Sequence, residues 1–183
     1  WEDKLIEYIC FFEILWNIRL LVKIYKNIYE ESAEIALFLM IDIPNNSLNQ
    51  KTISRPAVIN GIGLHTGIDV TMKLIPAEAD FGIKFFRTDL KSNNIVEALW
   101  SNVSNTKLCT TISNSHGVSV STIEHIMSAL SGLHVDNVKI EINGPEVPIM
   151  DGSSKEFVEI IESVSTQDLK KKRKIIKIKK NIK

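Results

Sequence analysis

Two hydrophobic periods follow one another along this chain, and their order limits the folds open to it. Val70, Met72 and Leu74 alternate with polar residues, which is the period of a half-buried strand. Shorter apolar runs bounded by turn residues predict four further strands, at residues 53–59, 82–87, 108–113 and 137–142. Apolar residues three and four apart then predict two amphipathic helices, from Thr122 to Leu130 and from Ser154 to Val164.

The order of these elements predicts the fold class. Strands come first, and a helix, a strand and a second helix follow. This order favours an α+β fold, a two-layer domain in which a mainly antiparallel sheet carries both helices on one face. Gly132 is placed to end the first helix. The S-x-x-E spacing of Ser121 with Glu124, and of Ser153 with Glu156, predicts a capping box at the start of each helix.

Charge is distributed unevenly, although the formal net charge of the 183 residues is zero. Residues 170–183 hold nine basic side chains and no acid, whereas residues 50–169 hold nine basic and fourteen acidic ones. The acidic body argues against a dedicated nucleic-acid binder, for which a strongly basic domain is expected. The two cysteines, Cys10 and Cys109, build no disulfide framework, so we expect a reducing cytosol.

The first 49 residues differ in texture from the rest and begin with Trp1. Polar residues at helical spacing predict an amphipathic helix from about Tyr8 to Glu34, and no apolar run approaches the ~18 residues of a membrane span. One interpretation is a helix that contacts a membrane surface or a partner. The other, which we favour, is upstream sequence translated ahead of a start at Met40.

A candidate site lies at the start of the first predicted helix. The apolar stripe expected to face the sheet consists of Ile123, Ile126, Met127 and Leu130. His125 then points to the opposite side. Its predicted neighbours there are all small, namely Ser128, Ala129 and Gly132. Glu124 precedes His125, so a carboxylate and an imidazole emerge together, and imidazole can ligate zinc while a nearby carboxylate takes a proton from water.

A structural interpretation of the same two residues is also open. A capping box alone explains a glutamate at position 124. An exposed helical histidine without a second ligand three or four residues away is usually a surface residue, and a zinc site needs at least three protein ligands. Local spacing therefore leaves a zinc site and a surface position as alternatives.

Three further motifs have structural interpretations that we prefer to functional ones. The glycines of residues 61–67 resemble a phosphate-binding loop, but no G-K-[ST] follows, which favours a tight turn between strands. Residues 151–153 fit a turn that leads into a helix. Cys109, between leucine and threonine, fits a small buried apolar residue better than a reactive thiol.

Five ordered motifs carry a resemblance to a known family. They read G-I-G-L-H-T-G at residues 61–67, F-F-R-T-D-L at 85–90, L-C-T-T at 108–111, S-T-I-E-H at 121–125 and P-E-V-P-I-M-D-G-S at 145–153. In this order and at these separations the chain resembles UDP-3-O-acyl-N-acetylglucosamine deacetylases, the zinc hydrolases of lipid A biosynthesis. The resemblance spans about residues 51–165, most of the first of that family's two domains.

The resemblance implies roles for individual residues. His125 matches a zinc ligand and Glu124 the general base, while Leu108 and Cys109 match a segment that lines the wall of the active site. His65 lies in a family motif, and we assign it no catalytic step. The implied reaction is hydrolysis of the 2-acetamido group of UDP-3-O-acyl-N-acetylglucosamine, with release of acetate.

The resemblance also implies what lies outside the matching residues. The family takes its other zinc ligands, a His and an Asp on one helix, and a further catalytic His from its second domain. We therefore expect residues 50–168 to form the first domain, residues 169–183 to be a basic linker and the start of the second, and residues 1–49 to be an extension. With one zinc ligand of three, this chain alone is expected to be an inactive fragment, complete only with a missing or separately encoded second domain.

Location and two alternative functions complete the expectations. The family implies the cytoplasm of a Gram-negative-type bacterium. One alternative is a non-catalytic relic or interaction module that uses an exposed sheet edge and the basic tail. The other is an RNA-binding α+β domain, which rests on fold analogy alone and which the acidic body opposes.

Overall fold

The computed structural model describes residues 49–174. The predicted helix at residues 8–34, the start at Met40 and the last part of the basic tail lie outside the described residues. The described strands are β1 (Asn49–Ile53), β2 (Ala57–Ile62), β3 (Asp69–Pro76), β4 (Ile83–Arg87), β5 (Ile95–Glu97), β6 (Val103–Asn105), β7 (Thr111–Ser113), β8 (Ser119–Val120), β9 (Val138–Ile142) and β10 (Thr166–Lys172). The helices are α1 (Glu124–Gly132), α2 (Lys155–Val164) and a short 3₁₀ turn (Trp100–Asn102).

The largest sheet has five strands in the order β2-β3-β9-β4-β5. All its neighbouring strands are antiparallel except β4 and β9, which run parallel. Buried and exposed residues alternate along β3, so that Val70, Met72 and Leu74 face inward, as their period predicts. Two smaller antiparallel sheets, β1 with β10 and β6-β7-β8, complete the fold.

One core lies between the five-stranded sheet and the two helices. The fully buried sheet residues include Leu74, Phe85 and Ile140, and those of the helices include Phe157 and Leu130. The inward residues of the sheet and the apolar stripes of both helices belong to this one cluster, which places α1 and α2 on the same face. The predicted α+β class is confirmed. No helix among residues 49–174 is long and apolar enough to cross a membrane.

The motif at residues 85–90 has a structural role. Phe85 is fully buried in the core. The guanidinium of Arg87 donates to both carboxylate oxygens of Asp89 and, at 2.9 Å, to the carbonyl oxygen of Ser119. Hydrogen bonds from Arg87 lower the pKa of the Asp89 carboxyl. This planar fork ties the end of β4 to β8.

Two predicted strands are shorter than expected. The segment 53–59 is interrupted before Ala57, because Pro56 lacks an N–H donor, and its halves pair with different strands, β10 and β3. Within the segment 108–113, only Thr111–Ser113 forms a strand. Leu108 has φ of 67°, a left-handed conformation that no strand contains.

The predicted capping at the helix starts is not found, whereas α1 ends at Gly132 and α2 at Val164, as predicted. The residues before each helix, Ile123 and Ser154, make no side-chain capping hydrogen bond. Instead of capping α1, the Ser121 hydroxyl donates to the Pro145 carbonyl oxygen at 3.2 Å. Gly132 is the last residue of α1, and the left-handed residue that follows the helix is His134, with φ of 58°. A contact with a distant segment thus replaces local capping at the start of α1, whereas its end is closed locally, by the amides of Leu133 and Val135 on the carbonyls of Ala129 and Leu130.

Candidate active site

Four of the five sequence motifs meet at the start of α1, and backbone contacts join three of them, at residues 61–67, 121–125 and 145–153. Backbone hydrogen bonds join Ser121 N to the Pro145 carbonyl at 2.8 Å, and Val147 N to the Ser121 carbonyl at 3.0 Å. The Ile149 amide donates to the carbonyl of Ile62 at 3.0 Å, and Gly63 forms a β-bridge with Pro148. Residues 145–149 therefore lie between the loop after β2 and the segment that leads into α1.

Glu146 is the centre of this meeting point, and its side chain is fully buried. Its carboxylate accepts hydrogen bonds from the backbone N–H groups of His65 and Thr66, at 3.0 and 2.9 Å. It also accepts from the hydroxyls of Thr66 and Thr122, at 2.8 and 2.9 Å, and lies 2.8 Å from Nδ1 of His65. Five donors from two distant segments surround one buried charge.

These donors set the ionisation of Glu146. Burial by itself raises the pKa of a carboxyl, but the backbone and side-chain hydrogen bonds from His65 and Thr66 outweigh it and lower the pKa of Glu146 to about 2. The carboxylate is therefore ionised at neutral pH and can only accept hydrogen bonds.

This low pKa predicts loss of stability in acid. A folded-state pKa below the unfolded value of 4.5 means that the contribution is complete above about pH 5 and is lost as the pH falls toward 2. This shift in the pKa of Glu146 corresponds to a contribution of about 3 kcal/mol to the free energy of unfolding. Urea unfolding of the wild type and of Glu146→Gln between pH 6 and 2 measures it. The wild type should have the larger free energy of unfolding at pH 6, and its difference from Glu146→Gln should shrink as the pH falls. A difference that does not change with pH would contradict the low pKa of Glu146.

Gly63 allows the loop to approach this carboxylate. A Cβ atom on Gly63 would overlap the Thr66 hydroxyl and lie 2.6 Å from Oε2 of Glu146. The Gly67 amide closes the turn on the Gly63 carbonyl at 2.9 Å, with φ of 64° at Gly67. The prediction of a tight turn is confirmed, and the close approach explains why glycine is needed at position 63.

Gly63→Ala is expected to destabilise the fold by about 1–3 kcal/mol, because the added methyl group displaces a buried charge from its donors. Gly132→Ala is the matched control, since nothing lies within 4 Å of its Cβ position. The control should change the free energy of unfolding by less than about 0.5 kcal/mol or stabilise α1 slightly. Equal effects of the two substitutions in urea unfolding would refute the steric argument.

Glu124 lies in the first turn of α1 and is half-buried. Its Oε2 accepts a hydrogen bond from the backbone N–H of Thr110 at 2.9 Å. The Thr110 carbonyl in turn accepts from the amide of Ile123 at 3.4 Å. Glu124 therefore bonds the loop before β7 instead of capping its own helix, and its second oxygen accepts no hydrogen bond from the described residues.

His125 follows on the same turn and is half-buried. Its Nδ1 atom is buried and has no hydrogen-bond partner among the described residues. The predicted orientation of α1 is correct for the apolar stripe, which is buried. The prediction that Ala129 lies beside His125 on the outer face is wrong. Ala129 is 1% exposed and belongs to the core, because the buried face of α1 is wider than the four apolar residues predicted to form it.

The loop beside Glu124 contains the two residues predicted to line a wall. Leu108 is 85% exposed, a larger fraction than for any other large apolar residue among residues 49–174. Cys109 is half-buried, with its Sγ 3.7 Å from the hydroxyl of Thr111. Both residues directly precede Thr110, whose amide bonds the Glu124 carboxylate. No described residue covers the Leu108 side chain.

The remaining histidines lie elsewhere, and no metal cluster is present in the described part. His116 occupies the turn from Asn114 to Gly117, and burial lowers the pKa of His134, beyond the end of α1. Residues 49–174 contain no group of three or more His, Cys, Asp or Glu side chains that could hold a metal ion. His125, with its unpartnered ring nitrogen, fits one ligand position and no complete site.

Sequence reasoning missed the residues around Glu146. The motif at residues 145–153 assigns no role to Glu146, and the other motifs assign none to His65, Thr66 or Thr122. A glutamate between proline and valine is unusual in an apolar segment, and that signal was available.

Comparison with known proteins places the chain among the deacetylases. Residues 50–183 match the family model for UDP-3-O-acyl N-acetylglycosamine deacetylase. Relatives named UDP-3-O-acyl-N-acetylglucosamine deacetylase include that of Pseudoalteromonas atlantica (strain T6c / ATCC BAA-1087), 46% identical over 74% of this chain and 45% of the relative. That of Geobacter sp. (strain M21) is 49% identical over 73% and 43%. The chain belongs to the UDP-3-O-acyl N-acetylglycosamine deacetylase family, and it spans less than half the length of these relatives.

Proposed function

We propose that this chain supplies one half of a zinc-dependent active site that hydrolyses the 2-acetamido group of UDP-3-O-acyl-N-acetylglucosamine in lipid A biosynthesis. The observation that carries this is the pairing at the start of α1: a carboxylate anchored to the Thr110 amide beside an imidazole with an unpartnered ring nitrogen. Family membership supports the reaction and the substrate class.

Glu124 is proposed as the general base. Its anchored oxygen fixes the carboxylate, and the other oxygen is left to accept a proton from water. His125 is proposed as one zinc ligand. Zinc, when bound, supplies Lewis-acid activation of water and of the acetyl carbonyl. Leu108 and Cys109 are proposed to contact the substrate, which fits the uncovered apolar surface of Leu108.

The other ligands are proposed to come from a second domain. One histidine is too few for a closed or a catalytic zinc site, which takes three or four protein ligands. In this proposal the first domain runs from residue 50 past the predicted boundary at 168, because β10 pairs with β1 as far as Lys172. The basic residues beyond it lead toward the second domain, which is either continuous with this chain or separately encoded. The cytoplasm is the proposed location, because the substrate is a nucleotide sugar.

The purified 183-residue chain is expected to bind no stoichiometric zinc and to release no acetate. Addition of the carboxy-terminal half of the Geobacter relative should restore one zinc per complex, measured by equilibrium dialysis with metal analysis. His125→Ala should block this gain, and His116→Ala, on an exposed turn, should not. Tight one-to-one zinc binding or deacetylation by the chain alone would contradict the shared site. Failure of every second half to restore zinc would favour a non-catalytic interaction module.

A further inference from the structure

The stability of the fold does not by itself explain why a charged side chain is buried at position 146. Replacing a buried ionic group by apolar side chains of similar volume is often neutral or stabilising. A carboxylate with five donors does something that an apolar side chain cannot, because its hydrogen bonds fix the directions of the groups around it. Those groups belong to the loop after β2 and to the residue before the N-cap of α1.

One of these groups is the imidazole of His65. Glu146 is ionised and can only accept, so the ring nitrogen that lies 2.8 Å from it, Nδ1, carries the proton. In the neutral ring Nε2 is then an acceptor. The side chain of His65 is 40% exposed, so the carboxylate fixes both the tautomer and the plane of a ring that reaches solvent.

Thr122 links the same carboxylate to α1. Its hydroxyl donates to Glu146 at 2.9 Å and lies 3.5 Å from Nδ1 of His65. Thr122 has φ of 57°, a left-handed conformation that persists in a β-branched residue only where surrounding contacts determine it. Glu124 begins the helix two residues later, so the backbone at Thr122 sets where α1 starts.

We propose that Glu146 is a positioning residue of the active site, which holds the loop of residues 63–68, the His65 imidazole and the start of α1 as one unit. Through Thr122 it determines where the side chains of Glu124 and His125 emerge. The proposal rests on the proposed function only in naming those two side chains as the site. The contacts themselves do not depend on any metal.

The test uses metal-free, ¹⁵N-labelled 183-residue protein and the variants Glu146→Gln and Thr122→Val. Glu146→Gln should release the single His65 tautomer, visible as movement of both ring ¹⁵N shifts toward averaged values. It should also shift the His125 ring nitrogens and speed exchange of the Thr110 amide about tenfold relative to the core amide of Ile140. Thr122→Val removes one hydroxyl without changing shape, and should alter Thr110 and His125 but leave the His65 tautomer intact.

Asp151→Asn is the matched control, because Asp151 also accepts two hydrogen bonds, from Ser153, but lies on an exposed turn. It should leave all three signals unchanged. If Glu146 only stabilises the fold, Glu146→Gln should speed amide exchange at Thr110 and Ile140 equally and leave the ¹⁵N shifts of the His125 ring unchanged. That result would overturn the proposal. If Glu146→Gln does not fold, unchanged Thr110 and His125 signals in Thr122→Val overturn it as well. Because no metal is present, failure here is separate from failure of the zinc experiment.

Discussion

Glu124→Gln is expected to lower deacetylation by about 10²- to 10⁴-fold, the usual contribution of a general base. Glutamine keeps an oxygen that can accept the Thr110 N–H, so the loop before β7 should stay in place. It cannot take a proton from water at neutral pH. The loss should therefore fall on kcat, with KM and the free energy of unfolding nearly unchanged.

The measurement uses residues 50–174 joined to the second half of the Geobacter relative, assayed for acetate release. Glu156→Gln is the control, since Glu156 occupies the first turn of α2 as Glu124 occupies that of α1. The control should retain full activity. If Glu124→Gln keeps activity within about threefold of the unsubstituted fusion, Glu124 is not the base.

Phe157→Ala is expected to destabilise the fold by about 3–5 kcal/mol, the largest stability effect that we predict. The side chain is fully buried between α2 and the sheet, and its removal leaves a cavity in the shared core. A loss of this size is a large part of the stability of a small domain. Guanidinium unfolding of the 183-residue chain, with and without the substitution, measures this change in the free energy of unfolding.

Leu108→Ala is the control for this prediction. Leu108 is equally apolar but 85% exposed, so its truncation should change the free energy of unfolding by less than about 0.5 kcal/mol. A loss below about 1 kcal/mol for Phe157→Ala would mean that α2 does not depend on this contact.

The layers of the fold follow from local pattern. Burial of Val70, Met72 and Leu74 alternates as the sequence does, and the stripes of both helices are buried. These predictions succeed because a period of two or of about three and a half is a property of neighbouring residues. The break at Pro56 was also readable in principle, since proline lacks the donor that a ladder needs.

The helix ends show where local pattern fails. Ser121 and Glu124 have the spacing of a capping box, yet each finds a partner elsewhere, at Pro145 and at Thr110. A local hydrogen bond and a distant one compete for the same side chain, and the sequence does not reveal which one the fold offers. The alternative interpretation of Glu124 as a capping residue is wrong for this reason.

The sequence by itself determined the α+β class, the buried faces and, through its ordered motifs, the family, and it predicts the pair Glu124–His125 as the site. Only the tertiary structure decided what holds that pair in place. Glu146 meets His65 and Thr122 across separations of 81 and 24 residues, and β4 pairs with β9 across a long separation too, as in Ile83 with Val138. Such contacts depend on how the layers pack, because a buried carboxylate is stable only where the folded chain brings several donors to it at once.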